Sequence, residues 1–213
     1  MGNKDLKNLK GIYLILDKKL AGERSYFKII EKTARYGVKI VQLREKNIST
    51  REYVELAIKI KEVCKKNNVI FIVNDRVDVA FASDADGVHL GQDDLPVKYA
   101  RAILGKEKII GISAGNKEEL EYALKQDINY ISPGPVFTTL TKPDAGDAIG
   151  IDFVKYVLSK SDKPVIPIGG IEAENVKKLS RIGIDKVAVI SAILKADNLE
   201  IATKTLYNNL LSG

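Results

Sequence analysis

Apolar runs and amphipathic runs alternate regularly along the chain. The apolar runs are rich in Val and Ile and are five to nine residues long, which is typical of strands buried on both faces. They predict eight strands, at residues 11–17, 39–45, 69–75, 87–91, 108–114, 130–137, 164–170 and 186–194. Segments with helical periodicity lie between and after them, at residues 25–37, 50–68, 77–84, 96–105, 117–127, 151–161, 175–183 and 198–211. The pattern therefore predicts that each strand is followed by one helix.

This alternation predicts a parallel sheet, because strands connected through a helix run in the same direction. Eight such units can close into an α/β barrel of the (β/α)8 TIM type, and 213 residues lies at the short end of the range for that architecture. An open doubly wound sheet is the alternative, but no Gly-x-Gly-x-x-Gly motif follows the first strand. No linker-like or low-complexity stretch interrupts the chain, so we expect residues 1–213 to form a single TIM-barrel domain.

Composition and charge narrow the class of protein. The chain has 34 basic and 28 acidic residues, a net charge of +6, and its lysines are spread over the helical segments, so no nucleic-acid partner is expected. No apolar stretch is long enough to span a bilayer, and the first apolar run is short and ends in a charge, so we expect no membrane partner and a cytoplasmic location. Cys64 is the single cysteine and cannot form a disulfide within the chain. Nothing in the sequence predicts the oligomeric state.

Polar residues gather where the predicted strands end, which is where a βα barrel has its active site. After the second strand, period-2 geometry places Gln42, Arg44 and Lys46 on one side of the backbone. These three side chains either face the mouth of the barrel together or are solvated groups at an exposed strand end. The first interpretation predicts a binding site for negative oxygens.

The carboxylates after the third and fourth strands have two possible roles. Asp75, which follows Asn74, and Asp94 could cap the helices that come next. Alternatively, they could together hold Mg²⁺, which usually takes one or two carboxylates and leaves its other positions to water and phosphate oxygens. His89 is the only histidine, so no zinc site is expected, and we interpret it as a hydrogen-bonded residue of the barrel interior rather than a base.

The later strand ends carry hydroxyls, a lysine and glycines. They are Ser113 after the fifth strand, Thr139, Thr141 and Lys142 after the sixth, Gly169 and Gly170 after the seventh, and Ile190 and Ser191 in the eighth. Glycines and a small residue at the last two positions favour a phosphate site made of backbone N–H groups, although a tight turn alone would also use glycine. The set contains no nucleophile paired with a base, so covalent catalysis is not suggested.

Seven stretches resemble the thiamine-phosphate synthase family, in the family's order, along the chain from Gly11 to about Leu194. They are VQLREK (41–46), IVNDRVDVA (72–80), DGVHLGQDDLP (86–96), GISA (111–114), PGPVFTTLTKPDA (133–145), PIGGI (167–171) and VAVISAI (187–193). The resemblance implies a (β/α)8 transferase that joins 4-amino-2-methyl-5-hydroxymethylpyrimidine diphosphate to 4-methyl-5-(2-phosphoethyl)thiazole. The products would be thiamine phosphate and diphosphate, formed by a Mg²⁺-assisted dissociative substitution.

The resemblance also implies a role for each site residue. Gln42, Arg44, Lys46 and Asn74 would bind the pyrimidine diphosphate, and Asp75 and Asp94 would be Mg²⁺ ligands. Ser113 and Lys142 would hold the diphosphate as it departs, so the catalytic set is Arg44, Lys46, Ser113 and Lys142. The thiazole phosphate would be bound by Thr139, Thr141, Gly170, Ile190 and Ser191.

Two other functions stay open beside this one. A related group works as a thiazole tautomerase and is associated with a histidine in the segment occupied here by residues 134–136, where Pro135 cannot transfer protons. A catalytically silent, phosphate-binding barrel is the second, but the intact Asp75 and Asp94 argue against it. The chain departs from the family at Gly115 and Asn116, where many relatives have a histidine, and we expect altered local packing there.

Overall fold

The strands of this computed structural model, which describes residues 6–139 and 146–213, form one parallel sheet. Its strands are β1 (Gly11–Asp17), β2 (Val38–Arg44), β3 (Ile70–Asn74), β4 (Gly87–Leu90), β5 (Ile109–Ala114), β6 (Tyr130–Pro133) and β7 (Lys186–Val189). The order across the sheet is β6-β5-β4-β3-β2-β1-β7, so strands that follow one another in the chain are neighbours from β1 to β6. The parallel α/β architecture predicted from the alternation is confirmed.

The prediction of eight strands is wrong at residues 164–170. Pro164 and Pro167 have no backbone N–H, so this segment cannot sustain a regular ladder. It instead makes one isolated bridge to each neighbour. On the β6 side, the Ile131 N–H donates to Pro164 O (3.0 Å), and the Ile166 and Ile168 N–H groups donate to Ile131 O (2.9 Å) and Pro133 O (3.0 Å). On the β7 side, the Ala188 N–H donates to Pro167 O (2.8 Å). The described sheet therefore has seven strands, with an irregular segment between β6 and β7.

Helices follow the strands at the predicted places. They are α1 (Lys18–Ala21), α2 (Tyr26–Ala34), α3 (Thr50–Lys66), α4 (Val77–Ala82), α5 (Val97–Leu104), α6 (Lys117–Leu124), α7 (Gly150–Lys160), α8 (Lys177–Ser180), α9 (Ser191–Leu194) and α10 (Leu199–Leu211). The prediction of one helix per strand is wrong after β1 and β7, which are each followed by two. The predicted strand 186–194 ends at Val189, because its second half forms α9.

Alternate residues of each strand face two different apolar clusters. In β1, Tyr13 and Ile15 belong to a small cluster on one face of the sheet, whereas Leu14 and Leu16 belong to a larger cluster between the other face and the helices. Burial on both faces explains the near-continuous apolar runs of the sequence. Cys64 is fully buried in the larger cluster. Within residues 6–139 and 146–213, no helix combines the length and the apolar character needed to span a membrane.

Candidate active site

A cavity of about 490 Å³ opens where the strands end at their carboxyl termini. Eleven of the predicted site residues line it: Gln42, Arg44, Lys46, Asn74, Asp75, Asp94, Ser113, Thr139, Gly170, Ile190 and Ser191. The other two, Thr141 and Lys142, lie outside the described residues. Side chains that are far apart in the sequence therefore meet in one cavity, as we predicted from their positions at the ends of the strands.

One end of the cavity is charged, and its two cations are held by carboxylates. The Arg44 guanidinium donates to Asp17 Oδ2 at 2.6 Å, and Lys46 Nζ donates to Asp75 Oδ2 at 2.7 Å. Sequence reasoning missed Asp17, the last residue of β1, which lies opposite Arg44 in the β1–β2 register. Asp17 Oδ1 also accepts from the Leu20 N–H of α1, so the carboxylate is fixed from two sides.

Asp75 and Asp94 form a pair of carboxyl groups in contact. Burial of the Asp94 carboxyl, together with its hydrogen bond to Asp75, raises the pKa of Asp94 above its ordinary value. Burial also opposes ionisation of Asp75, but hydrogen bonds from Lys46 and Asp94 hold the pKa of Asp75 below its usual range. Two ionised carboxylates this close repel each other, and a bound cation relieves that repulsion.

The donor set fits Mg²⁺ better than a cation that needs a full cage of protein ligands. In the described part of the chain, no group of three or more His, Cys, Asp or Glu side chains is arranged to hold a metal ion. A pair of carboxylates facing an open cavity leaves the remaining coordination positions to water and phosphate oxygens, as Mg²⁺ requires.

The alternative role of these aspartates as helix caps is wrong. The N-cap of α4 is Arg76 and that of α5 is Pro96, and neither side chain makes a capping hydrogen bond. Asp94 Oδ2 instead accepts from the Gly91 N–H at 2.6 Å, which holds its carboxyl group at the cavity. Asp75 has a left-handed backbone, with φ of 61°.

The opposite end of the cavity is built from backbone and small side chains. Gly169 and Gly170 have φ angles of 98° and 62°, in the left-handed region that favours glycine. A Cβ on Gly170 would lie 2.6 Å from the Thr138 carbonyl oxygen, so this position has no space for a side chain. Ile190 and Ser191 begin α9, whose first amides have no acceptor within the helix. This end offers N–H groups to an anion rather than charged side chains.

His89 lines the cavity, is partly buried and pairs with two hydroxyls. Its Nδ1 is 2.8 Å from the Tyr130 hydroxyl and its Nε2 is 3.0 Å from Ser113 Oγ. The expected hydrogen bonding of His89 is confirmed, but the residue lines the cavity instead of lying wholly in the interior. We expected no nucleophile paired with a base, but the structure does place a hydroxyl next to a histidine. The strand order brings Ser113 on β5 beside His89 on β4.

Sequence reasoning missed several residues that support this site. Tyr13 and Tyr130 lie beneath the cavity floor, and in the sequence they are indistinguishable from core aromatics. Gln92 Nε2 donates to the Ser113 carbonyl oxygen at 2.6 Å. At the departure from the family pattern, Asn116 caps α6 by accepting from the Glu119 N–H.

Known proteins resemble this chain along nearly its whole length. Residues 12–193 match the family described as thiamine monophosphate synthase. The thiamine-phosphate synthase of Clostridium novyi is 46% identical over 197 residues, 92% of this chain and 97% of that protein. The protein of the same name from Methanobrevibacter smithii is 43% identical over 206 residues, 97% of this chain and 96% of that protein. The solved structure of the thiamine phosphate pyrophosphorylase from Pyrococcus furiosus superposes with a TM-score of 0.88 at 34% identity, covering 97% of this chain and 98% of that one. The chain belongs to the thiamine monophosphate synthase family.

Proposed function

We propose that this chain is a thiamine-phosphate synthase that joins the pyrimidine diphosphate to the thiazole phosphate and releases diphosphate. The observation that carries the proposal is a single cavity lined in one part by two cationic side chains and a pair of carboxylates, and in another by glycines and the start of α9. A reaction between a diphosphate and a monophosphate needs two such parts. The whole-length similarity to proteins of that name supports the same activity.

The charged end is the place for the pyrimidine diphosphate. Arg44 and Lys46 line the cavity there, and each pairs with one carboxylate, which leaves further N–H donors on both cations to bind a diphosphate. The buried Gln42 amide, 2% exposed, supplies directional hydrogen bonding for the ring. Asn74, the last residue of β3, lines the same cavity.

Asp75 and Asp94 would hold Mg²⁺ at this end. When bound, Mg²⁺ supplies neutralisation of the negative charge that accumulates on the diphosphate oxygens. The two carboxylates fix the place where that charge is neutralised, and Lys46, beside Asp75, adds a further cation within reach of the same oxygens.

The backbone end is the place for the thiazole phosphate. Gly170, Ile190 and Ser191 would donate backbone N–H groups to its oxygens, and the Thr139 side chain lines the same end. Thr141 and Lys142 are assigned here only by the resemblance, Thr141 to the thiazole phosphate and Lys142 to the departing diphosphate.

The reaction itself needs no covalent link to the protein. The bond between the pyrimidine methylene carbon and the diphosphate oxygen breaks, and its electron pair leaves with the diphosphate. The lone pair of the thiazole nitrogen then forms the new carbon–nitrogen bond. The protein's part is to hold the two substrates in line and to stabilise the negative charge of the leaving group.

We extend the proposal to the architecture and location. The irregular segment at residues 164–168 forms hydrogen bonds with both β6 and β7. We assign it the role of an eighth strand that closes the sheet into a barrel. Residues 1–213 would then form one barrel domain, located in the cytoplasm.

Product formation by the purified protein tests the function. With both substrates and Mg²⁺, we expect thiamine phosphate and diphosphate in equal amounts, measured by liquid chromatography and mass spectrometry. Chelation of the metal with EDTA should stop the reaction, and added Mg²⁺ should restore it. If both substrates bind and no product forms with Mg²⁺ present, the chain is a binding protein and the proposal is wrong.

A further inference from the structure

Five polar side chains from five strands form one continuous series of hydrogen bonds, and three of them, Gln42, His89 and Ser113, line the cavity. Gln42 Nε2 donates to the Tyr13 hydroxyl at 2.7 Å, and the Tyr13 and Tyr130 hydroxyls are 3.0 Å apart. The chain continues from Tyr130 to His89 Nδ1 at 2.8 Å and from His89 Nε2 to Ser113 Oγ at 3.0 Å. It therefore begins and ends at residues that line the cavity, Gln42 and Ser113.

The two tyrosines of this chain are excluded from solvent, whereas His89 is partly buried and lines the cavity. Tyr13 and Tyr130 are 2% and 1% exposed, and their rings meet edge to face with centroids 6.0 Å apart. The His89 ring stacks on Tyr130 at 5.6 Å. Gly111 makes room for this arrangement, since a Cβ there would lie 1.9 Å from Tyr130 Cζ. Burial raises the pKa of both phenols, so each hydroxyl keeps one proton to donate.

In a series of hydrogen-bonded hydroxyls with one proton each, every proton is donated toward the same end of the series. The group at the first end, Gln42, determines which end that is. The Gln42 amide nitrogen is a donor only, so it cannot take the Tyr13 proton. Among the described residues, Tyr130 is the other hydrogen-bond partner of the buried Tyr13 hydroxyl, so Tyr13 donates its proton to Tyr130. Tyr130 then donates to His89 Nδ1, which leaves the neutral imidazole with its proton on Nε2. His89 Nε2–H donates to Ser113 Oγ, and the Ser113 proton turns away from the histidine.

We infer that this chain of hydrogen bonds holds the Ser113 hydroxyl as a hydrogen-bond donor toward the cavity, with Tyr13, Tyr130 and His89 acting as positioning residues. On the proposed function, on which this assignment of the acceptor rests, the Ser113 O–H donates to the diphosphate oxygen as it leaves. Hydrogen bonds in a connected chain polarise one another, so the pyrimidine-binding amide at one end strengthens the donor at the other.

The same geometry excludes an activated serine nucleophile when the chain runs in this direction. A base must accept the Ser113 proton on Nε2, but that nitrogen already carries a proton. In the reverse direction Nδ1 would be protonated, Nε2 would accept from Ser113, and the serine would present only lone pairs to an anion. The tautomer of His89 therefore distinguishes a positioned donor from a base-paired nucleophile.

The tautomer of His89 can be determined by NMR spectroscopy without assigning signals to several residues, because His89 is the only histidine in the protein. Protein labelled with ¹⁵N-histidine gives two ring-nitrogen signals in a long-range ¹H–¹⁵N correlation spectrum, and the protonated and unprotonated nitrogens resonate far apart. At about pH 8, above the ordinary histidine pKa, we expect the proton on Nε2 in the wild-type protein. A proton on Nδ1, or on both nitrogens, would overturn the inference.

Kinetics supply the second readout. Tyr130→Phe removes one hydroxyl from the chain and should lower kcat roughly tenfold, because the Ser113 donor is weakened, while the KM values of both substrates stay within about twofold. Tyr53→Phe is the matched control: Tyr53 is also 2% exposed, but its hydroxyl donates to the Leu43 carbonyl oxygen outside the chain. Its kcat should match that of the wild type.

A double variant separates positioning from general loss of stability. In a Ser113→Ala background the chain has no donor to position, so adding Tyr130→Phe should leave kcat unchanged. A further tenfold loss there would show that Tyr130 acts independently of Ser113 and would contradict the inference. If the wild-type protein makes no thiamine phosphate, the proposed function fails, whereas the His89 tautomer still tests the direction of the chain.

Discussion

The two ends of the cavity present polar groups of different physical kinds. At the charged end, Arg44 and Lys46 are flexible cationic side chains that pair with Asp17 and Asp75. At the backbone end, Gly169 and Gly170 have left-handed conformations and lie against neighbouring backbone, with no space for a Cβ. The charged end can rearrange its side chains around a ligand, whereas the backbone end already has its shape.

This difference predicts how each end responds to substitution. Changes of charge should affect the charged end while leaving the fold intact, because partly exposed ion pairs contribute only about 0–1 kcal/mol each. Changes of volume should affect the backbone end, because its groups are in contact. The following predictions test this contrast, from the largest expected effect to the smallest.

Asp75→Asn should lower kcat by about 100-fold or more and abolish its dependence on Mg²⁺ concentration. Asn keeps the volume and tolerates the left-handed backbone of Asp75, so the change removes only the charge. Steady-state rates over a Mg²⁺ titration measure the effect. Asp78→Asn is the control, since Asp78 pairs with Arg76 away from the cavity. An Asp75→Asn protein with wild-type activity would remove the carboxylate pair from the metal site.

Gly170→Ala should raise the KM for the thiazole phosphate about tenfold or more, because the new Cβ displaces backbone at 2.6–2.7 Å. The KM for the pyrimidine diphosphate should change little. Gly183→Ala is a matched control: Gly183 also has a positive φ, of 91°, but no atom lies within 4 Å of its Cβ position. Both variants lose stability through strain, so equal effects on KM would show that strain alone is responsible.

Asp17→Asn should raise the KM for the pyrimidine diphosphate about threefold, because the Arg44 guanidinium loses the carboxylate that orients it. The Asn side-chain oxygen can still accept from the Leu20 N–H, so α1 keeps its cap. Asp152→Asn is the control, since Asp152 is an exposed residue paired with Lys155. A KM that stays at the wild-type value would mean that Asp17 does not position Arg44.

Asp94→Asn should raise the Tm of the metal-free protein by about 2 °C at neutral pH while reducing activity. The pKa of Asp94 is raised by burial and by Asp75, so its ionised form destabilises the fold above that pKa, and the penalty disappears as the pH falls through it. Thermal unfolding in EDTA at neutral and acidic pH measures the difference. An unchanged or lower Tm at neutral pH would contradict the like-charge account of the pair.

The sequence predicted the positions of β1 to β5, the start of β6 and the main helices because each element buries a periodic apolar face, but the predicted sixth strand 130–137 ends at Pro133. It failed where backbone chemistry overrides that pattern, at Pro164 and Pro167 and at the start of α9 beside Ser191. An apolar run does not reveal whether its N–H groups form a ladder.

For the candidate site, the residues at the strand ends were predictable because carboxyl ends of parallel strands converge. Tyr13, Tyr130 and Asp17 were not, since their contacts depend on which strands are neighbours or face each other across the sheet. The Ser113–His89 contact was missed for the same reason: its two residues are 24 positions apart.

The most direct test of the contrast is a pair of binding titrations by calorimetry on two variants, with each substrate added separately in the presence of Mg²⁺. Arg44→Gln should weaken the binding of the pyrimidine diphosphate and leave that of the thiazole phosphate unchanged, and Gly170→Ala should do the reverse. If both variants weaken the same substrate, the cavity does not have two separate anion sites.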